Sequence, residues 1–232
     1  MKRVYVGVVK ALTSAIPFAG MVSWAGDTRW RVWAVSLLAI HDFDRMRLLG
    51  WPWWTFTAAQ HVSRHLEKTP GPRVFEWGSG ASTLWLADRA TEVHVVEHDP
   101  AWGELVRATA PSNVQVTTVP PVQATEGGTS VRSQKPGFAG LDFSAYCDAI
   151  NDVPGLFDVI VVDGRAREAC LVAAVDRLAP DGLIVFDNVD RRRYVEAMAA
   201  LGSRISVHMT RGLTPALPYP TRTALITVES TP

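Results

Sequence analysis

Val74-Phe75-Glu76-Trp77-Gly78-Ser79-Gly80-Ala81-Ser82-Thr83 is the stretch whose reading decides the fold. Short apolar residues lead in, two glycines make a turn, and Leu84-Trp85-Leu86-Ala87 runs on with helical spacing. That order reads as strand, tight loop, helix. Glycines there let a ligand lie against the backbone, and the free N–H groups at a helix start favour electron-rich groups. The next strand, Val93-His94-Val95-Val96, ends in Glu97, 21 positions beyond Glu76. An acid at the tip of a second strand suits a two-pronged grip on ribose hydroxyls. Together these features describe a site for an adenosine cofactor.

The third small position separates two cofactors. A dinucleotide fingerprint, G-x-G-x-x-G/A, needs a small last residue so that the helix packs close under a pyrophosphate. Here Thr83 stands at that place. Glu76 would also set negative charge near a pyrophosphate, but near a sulfonium or ammonium group in the alternative. Both points favour S-adenosylmethionine over NAD. The stretch resembles the first motif of the class I methyltransferases, an acid followed by G-x-G. The expected cofactor-binding set is Thr55, Glu76, Gly78, Ser79, Gly80, Ser82, Thr83, Glu97, His98 and Asp163.

Outward from this stretch, strand and helix alternate from Arg73 onward, the pattern of a parallel sheet covered on both faces. Strands are expected near 73–77, 92–97, 113–119, 157–163, 182–187, 204–210 and 222–228, with helices after the first, second, fourth and fifth. The last two strands are joined by a Gly/Pro loop, Arg211 to Pro220, too short for a helix. An antiparallel hairpin at the sheet edge follows, a feature of the methyltransferase fold that the dinucleotide fold lacks. The fold expected is therefore α/β and Rossmann-like: seven strands, mostly parallel with an antiparallel last strand, plus an N-terminal helical extension. Residues 1–54 form that extension, a lid or interface, and 55–232 the cofactor-binding domain.

Within the extension, Tyr5, Val8, Val9, Leu12 and Ile16 share one face of an amphipathic helix. Asp27 and Thr28 are candidate caps for a second helix striped by Trp30, Trp33, Ala34, Leu37 and Leu38. Trp51 to Thr55 then leads out of the extension into a third helix through Ala58, Val62 and Leu66. Six of the nine tryptophans (Trp24, Trp30, Trp33, Trp51, Trp53 and Trp54) fall in the first 54 residues. Flat rings in such number suit a lid, a dimer face, a sugar-stacking surface or plain core packing. Between Pro120 and Gly140 lies a polar stretch containing Glu126-Gly127-Gly128-Thr129, expected to be a substrate lid.

Composition narrows the partners. Apolar residues at 47% supply one core, and lysine plus arginine balance aspartate plus glutamate at 23 each. Zero net charge gives no electrostatic footprint for nucleic acid. No uninterrupted apolar run approaches the roughly 20 residues of a membrane span. Cys147 and Cys170 have neither metal spacing nor a disulfide framework, consistent with reduced thiols in a cytoplasmic protein. A homodimer acting on a small hydroxylated molecule is expected.

Two more strands deliver oxygen ligands. Phe157-Asp158-Val159-Ile160-Val161-Val162 ends in Asp163-Gly164-Arg165, and Leu183-Ile184-Val185-Phe186 ends in Asp187-Asn188. Asp163, Asp187 and Asn188 make a hard-oxygen set suited to Mg²⁺, which would hold substrate hydroxyls and lower the pKa of the one that attacks. The set is similar to the metal site of the catechol-type, magnesium-dependent O-methyltransferases. The runs Val162 to Cys170 and Phe186 to Arg191 also resemble a bacterial group of saccharide-modifying methyltransferases, some of which methylate hydroxyls of short mannosides. That resemblance implies a saccharide acceptor. Where the catechol enzymes place a lysine, this chain has Arg165 and Arg167, and arginine cannot accept a proton at neutral pH. The candidate bases are Asp163, Asp190 and His98, in that order.

Plainer readings stand beside these. Glu76 can simply cap the neighbouring helix, and Asp187-Asn188 can be turn chemistry. Arg165, Arg167 and the run Arg191-Arg192-Arg193 read as a solvated helix face before substrate ligands. Asp142, Tyr146 and Asp148 follow the long loop within possible reach of substrate. A metal-independent methyltransferase, or a non-catalytic cofactor-binding subunit, are the alternative functions.

Overall fold

The computed structural model describes residues 18–40, 42–125 and 130–229. The amphipathic helix expected over 5–16 and the centre of the expected lid, 126–129, lie outside the described residues. Elsewhere the alternation read from the sequence appears as strands β1 (Arg73–Trp77), β2 (Glu92–Glu97), β3 (Val114–Thr118), β4 (Val122–Gln123), β5 (Leu141–Asp142), β6 (Phe157–Val162), β7 (Leu178–Asp187), β8 (Ile205–Gly212) and β9 (Thr221–Val228). The main sheet has seven strands in the order β3-β2-β1-β6-β7-β9-β8. Pairings from β3 through to β7 are parallel, and β9 runs antiparallel to both β7 and β8. This is the expected Rossmann-like methyltransferase fold. The strand β7 starts at Leu178, earlier than expected, with a shift in register against β6.

Each central strand is apolar on both sides, as a doubly covered parallel sheet requires. Phe75, Trp77, Val96, Ile160, Val162, Ile184 and Phe186 face one core. Over them lie α7 (Ser144–Asp148), α8 (Arg167–Val175) and α9 (Arg192–Leu201). Val74, Val93, Val95, Val159, Val161 and Val185 face the other, under α4 (Phe56–Lys68) and α5 (Ala81–Ala87). The helix α6 (Pro100–Arg107) packs along β2 and β3 and is started by Asp99, whose carboxylate accepts from the N–H groups of Ala101 and Trp102.

The N-terminal helices α1 (Phe18–Ala25), α2 (Arg29–Ser36) and α3 (Phe43–Leu49) share a third apolar cluster with Phe56 and Ala81. Ser36 Oγ accepts from the N–H of Ala216 at 2.7 Å, and Trp33 Nε1 donates to Leu217 O at 2.8 Å. These helices therefore brace the β8–β9 loop and the first residue of α5. The tryptophans divide: Trp54 is fully buried in the sheet core, while Trp24 and Trp30 are more than half exposed and meet edge to face. Among the described residues no helix is long and apolar enough to cross a membrane.

The chain reverses its direction of travel across the sheet between β1 and β6, and a crevice opens there beyond the strand ends. Gly78 leaves β1 at φ +89°, and a Cβ on it would lie 2.9 Å from Gly164 Cα and N. Two glycine backbones thus touch where side chains would hold the strand tips apart. Gly78→Ala should lower stability by about 1–3 kcal/mol, from a left-handed φ and a backbone clash together. Gly212→Ala, where a Cβ meets nothing within 4 Å, serves as the control. Denaturant midpoints of the two variants check this, and equal midpoints would refute it.

Candidate active site

A cavity of about 350 Å³ sits at the crevice, lined by Glu76, Gly78, Ser79 and Ser82 from the β1–α5 turn and by Glu97, His98, Asp99 and Trp102 after β2. Asp163, Gly164 and Arg165 close it from β6, with Lys135 and Phe138 from the long segment. A Cβ on Gly80 would meet nothing within 4 Å, but Gly80 is buried, outside the cavity lining, with its N–H bonded to Thr83 Oγ1. Gly78 has a different duty, the approach to Gly164.

Glu97 is almost fully buried and held at both oxygens. Its Oε2 accepts from Ser79 N and Oγ at 3.0 and 2.8 Å, and its Oε1 from the N–H groups of His98 and Asp99 at 2.7 and 2.9 Å. Burial raises its pKa, but the His98 imidazole first, then the Asp99 N–H and Ser79, outweigh burial and keep the carboxyl below its ordinary range. Glu97 is thus an oriented carboxylate at the tip of β2. His98 Nδ1 lies 2.5 Å from Glu97 Oε1, and its ring packs against Phe138, Phe143 and Tyr146. That places His98 on the Glu97 side of the pocket, at the tip of β2 rather than among the acids that end β6 and β7. Trp102, which sequence reading passed over, donates from Nε1 to Ser79 O at 2.9 Å and meets Phe43 of α3 edge-on.

Glu76 is fully buried beneath the same turn. It accepts from Ser82 Oγ at 2.5 Å and Thr83 Oγ1 at 2.6 Å, and Thr83 Oγ1 accepts from Gly80 N at 3.0 Å. Thr83 therefore occupies the third small position for a reason: it links the acid to the glycine loop. Burial pushes the Glu76 pKa to about 8, opposed by these two hydroxyls and assisted by the charges of Asp163 and Glu97. Burial thus favours the neutral form of Glu76, and a cationic group beside it would favour the charged form.

The oxygen set at β6 and β7 is arranged otherwise than expected. Arg167, a buried residue of α8, lies between the strand tips. Its Nη2 contacts Asp163 Oδ1 at 2.5 Å and donates to Asp163 O at 2.6 Å. Its Nη1 donates to Asp187 O at 2.7 Å, and its Nε to Gly164 O at 3.1 Å. The carboxylate of Asp187 is fully buried, with Oδ1 accepting from Thr223 Oγ1 at 2.6 Å and Oδ2 from Asn188 Nδ2. Burial first, then the nearby charge of Asp163, pushes the Asp187 pKa to about 8. A divalent ion would have to displace a guanidinium that already balances Asp163, and strip Asp187 of both donors. As placed, the expected metal set Asp163, Asp187 and Asn188 is engaged by partners within the protein and leaves no open cation position. Among the described residues no group of three or more His, Cys, Asp or Glu is placed to hold a metal.

Other expectations also move. Thr55 caps α4 and is fully buried, its Oγ1 2.6 Å from Thr210 Oγ1, so it supports the sheet and does not line the cavity. Asp190 is exposed and turned to Arg222, accepting from its N–H at 3.0 Å, which removes it as a base. Asp163 remains the candidate base: it lines the cavity and keeps 25% of its side-chain surface open. Asp142 binds Val131 N and Ser144, fixing the β5–α7 turn, and Asp148 is exposed. Tyr146 is buried behind Gly164. None of the six N-terminal tryptophans lines this cavity.

The strand order and the glycine turn under a buried acid, with Glu97 at the tip of β2, mark an S-adenosylmethionine-dependent methyltransferase of class I. Residues 75–189 match a family model described as a methyltransferase domain. Among solved structures, an O-methyltransferase from Bacillus cereus in complex with SAH is similar at 18% identity, covering 99% of this chain and 100% of that one, with a TM-score of 0.56. A provisionally assigned O-methyltransferase from Klebsiella pneumoniae is similar at 17% identity over 99% of this chain and 100% of that one, TM-score 0.57. A provisionally assigned rRNA methylase from Clostridium thermocellum is similar at 12% identity over 76% and 97%, TM-score 0.52. No curated protein matches the chain.

Glu97→Ala should weaken S-adenosylmethionine binding by about 1.5–3 kcal/mol, the worth of charge-assisted hydrogen bonds to ribose. Calorimetry checks it, and an unchanged dissociation constant would remove Glu97 from the ribose role. Glu76 generates a second expectation. Because its folded pKa stands above its unfolded value, its contribution to stability is greatest at low pH and is lost as pH rises through about 8. Glu76→Gln should flatten the fall in melting temperature between pH 6 and pH 8, leaving the parallel slope due to Asp187.

Proposed function

We propose that this protein transfers the methyl group of S-adenosylmethionine to a hydroxyl of a small molecule, with a saccharide of the mannoside type as the acceptor. The observation that carries this reading is the convergence of Glu97, Glu76 and Asp163 on the Gly78–Gly80 turn. Glu97 takes the ribose, Glu76 faces the cationic end of the donor, and Asp163 opens toward the acceptor. The donor supplies an activated methyl group bound to a sulfonium. An oxygen–carbon bond forms as the carbon–sulfur bond breaks, and the hydroxyl proton passes to the Asp163 carboxylate. Most of the rate gain then comes from lining up oxygen, carbon and sulfur, which the rigid strand tips provide. Two structures of the same fold described as O-methyltransferases agree with oxygen as the acceptor atom.

The magnesium-assisted version suggested by the sequence is set aside in favour of its metal-independent alternative, because Arg167 pairs with the Asp163 carboxylate and bonds to the Asp187 carbonyl, while Thr223 and Asn188 hold the Asp187 carboxylate. The guanidinium keeps Asp163 oriented and balances charge at the two strand tips.

Labelled S-adenosylmethionine, incubated with a panel of sugars and catechols with and without Mg²⁺, tests both parts. Methyl transfer to a sugar hydroxyl that survives EDTA is expected. Loss in EDTA restored by Mg²⁺ would overturn the metal-free reading, and transfer to nitrogen alone would overturn the oxygen assignment. Asp163→Asn should lower turnover by about 10²–10⁴-fold, the usual worth of a positioned base. Its dissociation constant for S-adenosylhomocysteine should stay within severalfold.

A further inference from the structure

The cavity at the glycine turn continues outward as a trough, and the wall of that trough is almost entirely cationic. Lys135, Asp163 and Arg165 belong to both spaces. Beyond them the wall is formed by Arg167, Arg191, Arg193 and then Arg192, with Gln134 along one side. The acids on the same wall are Asp163, already held by Arg167, and Glu196, 2.7 Å from Arg192 Nε. Glu168 stands 3.0 Å from Arg193 Nε behind the wall. The cations come from three segments far apart in sequence: the folded end of the long stretch, the turn after β6 and the turn after β7. A single solvated helix face, the plainer reading of the sequence, would not gather them around one concavity.

Two of these charges lack a counter-ion among the described residues. Arg165 is partly buried over the ring of Phe138, its buried Nε has no hydrogen-bond partner, and no carboxylate lies within ion-pair distance. Burial, and then the neighbouring charge of Arg167, lowers its pKa, the mark of a cation placed where a cation is unwelcome. Arg191 rests near the ring of Tyr194 and makes no ion pair. Holding like charges together around a cleft costs free energy in the empty protein, and an anion entering the cleft relieves it.

We infer that the acceptor carries an oxyanion group, a phosphate, sulfate or carboxylate, which the Arg165–Arg191–Arg193 wall receives while the hydroxyl to be methylated is presented to Asp163. This rests on the methyltransferase reading and narrows its substrate class to a hydroxylated small molecule with a fixed negative charge. Planar guanidinium groups suit such oxygens because they donate in pairs. A polynucleotide is the less favoured anion. The chain has zero net charge overall, so the positive field is local to the trough and offers no extended track for a backbone.

Calorimetry with glucose 6-phosphate, glucose, inorganic phosphate and a ten-nucleotide single-stranded RNA, each with and without saturating S-adenosylhomocysteine, provides the test. Glucose 6-phosphate and phosphate should bind, glucose should bind at least about tenfold more weakly than its phosphate, and rising salt should erase the difference. Arg191 is exposed and lies outside the cofactor cavity, so Arg191→Glu should fold and bind S-adenosylhomocysteine as the parent does. It should weaken glucose 6-phosphate by about tenfold or more. Arg204→Glu, a residue paired with Asp176 away from the trough, should change neither. Equal binding of glucose and its phosphate, no effect of Arg191→Glu, or RNA binding tighter than glucose 6-phosphate would each overturn the inference. Failure of S-adenosylhomocysteine to bind would instead sink the methyltransferase reading, while the cofactor-free phosphate titrations would still decide this one.

Discussion

Backbone contact between Gly78 and Gly164 sets the geometry of everything functional in this protein. It lets the tips of β1 and β6 draw together at the point where the sheet changes direction. Trp77 O accepts from Asp163 N at 3.1 Å, and Gly78 N donates to Val96 O at 2.9 Å, so three strand ends are tied at one level. From that level Glu76, Glu97 and Asp163 project into one crevice. Tyr146, packed against Gly164 from behind, leaves no room for a side chain there either. The spacing of the acids is therefore inherited from the sheet and does not depend on a mobile loop.

Around this knot the protein has replaced mobile charge with fixed charge. Arg167 uses its Nε and both terminal nitrogens to join the ends of β6 and β7, a task in which a lysine could not match its planar fork. A chain of threonine hydroxyls carries the same support deeper. Thr223 holds Asp187, Thr210 bonds to Thr223 O, and Thr55 bonds to Thr210 at the start of α4. Asp187 is thus part of the frame, and Asp163, the more open acid, lines the cavity.

The N-terminal helices and the long middle segment finish the pocket without supplying its acids. Phe43 of α3 supports Trp102, which supports the glycine turn through Ser79. Around the stretch expected as a lid, 120–140, β4 pairs with β5, Asp142 clamps Val131, and Phe138 and Lys135 line the cavity. Strands of two residues leave no periodic pattern, which is why a loop was the natural expectation for them.

The sheet, its covered faces, the antiparallel last strand and the acid–glycine turn were all legible along the chain. Each of these is a local matter: alternation along a strand, glycine where no side chain fits, an acid at a strand end. Thr83 at the third small position could be read as arguing against a dinucleotide, although its bond to Glu76 could not be seen. Only the tertiary structure decided what lies across the crevice. Whether Asp163 and Asp187 face a metal or an arginine depends on where a helix four residues further along turns its side chain. Whether Arg191 and Arg193 are idle surface depends on two other segments arriving at the same wall. Such questions turn on packing between distant parts of the chain, and no spacing along it encodes their answer.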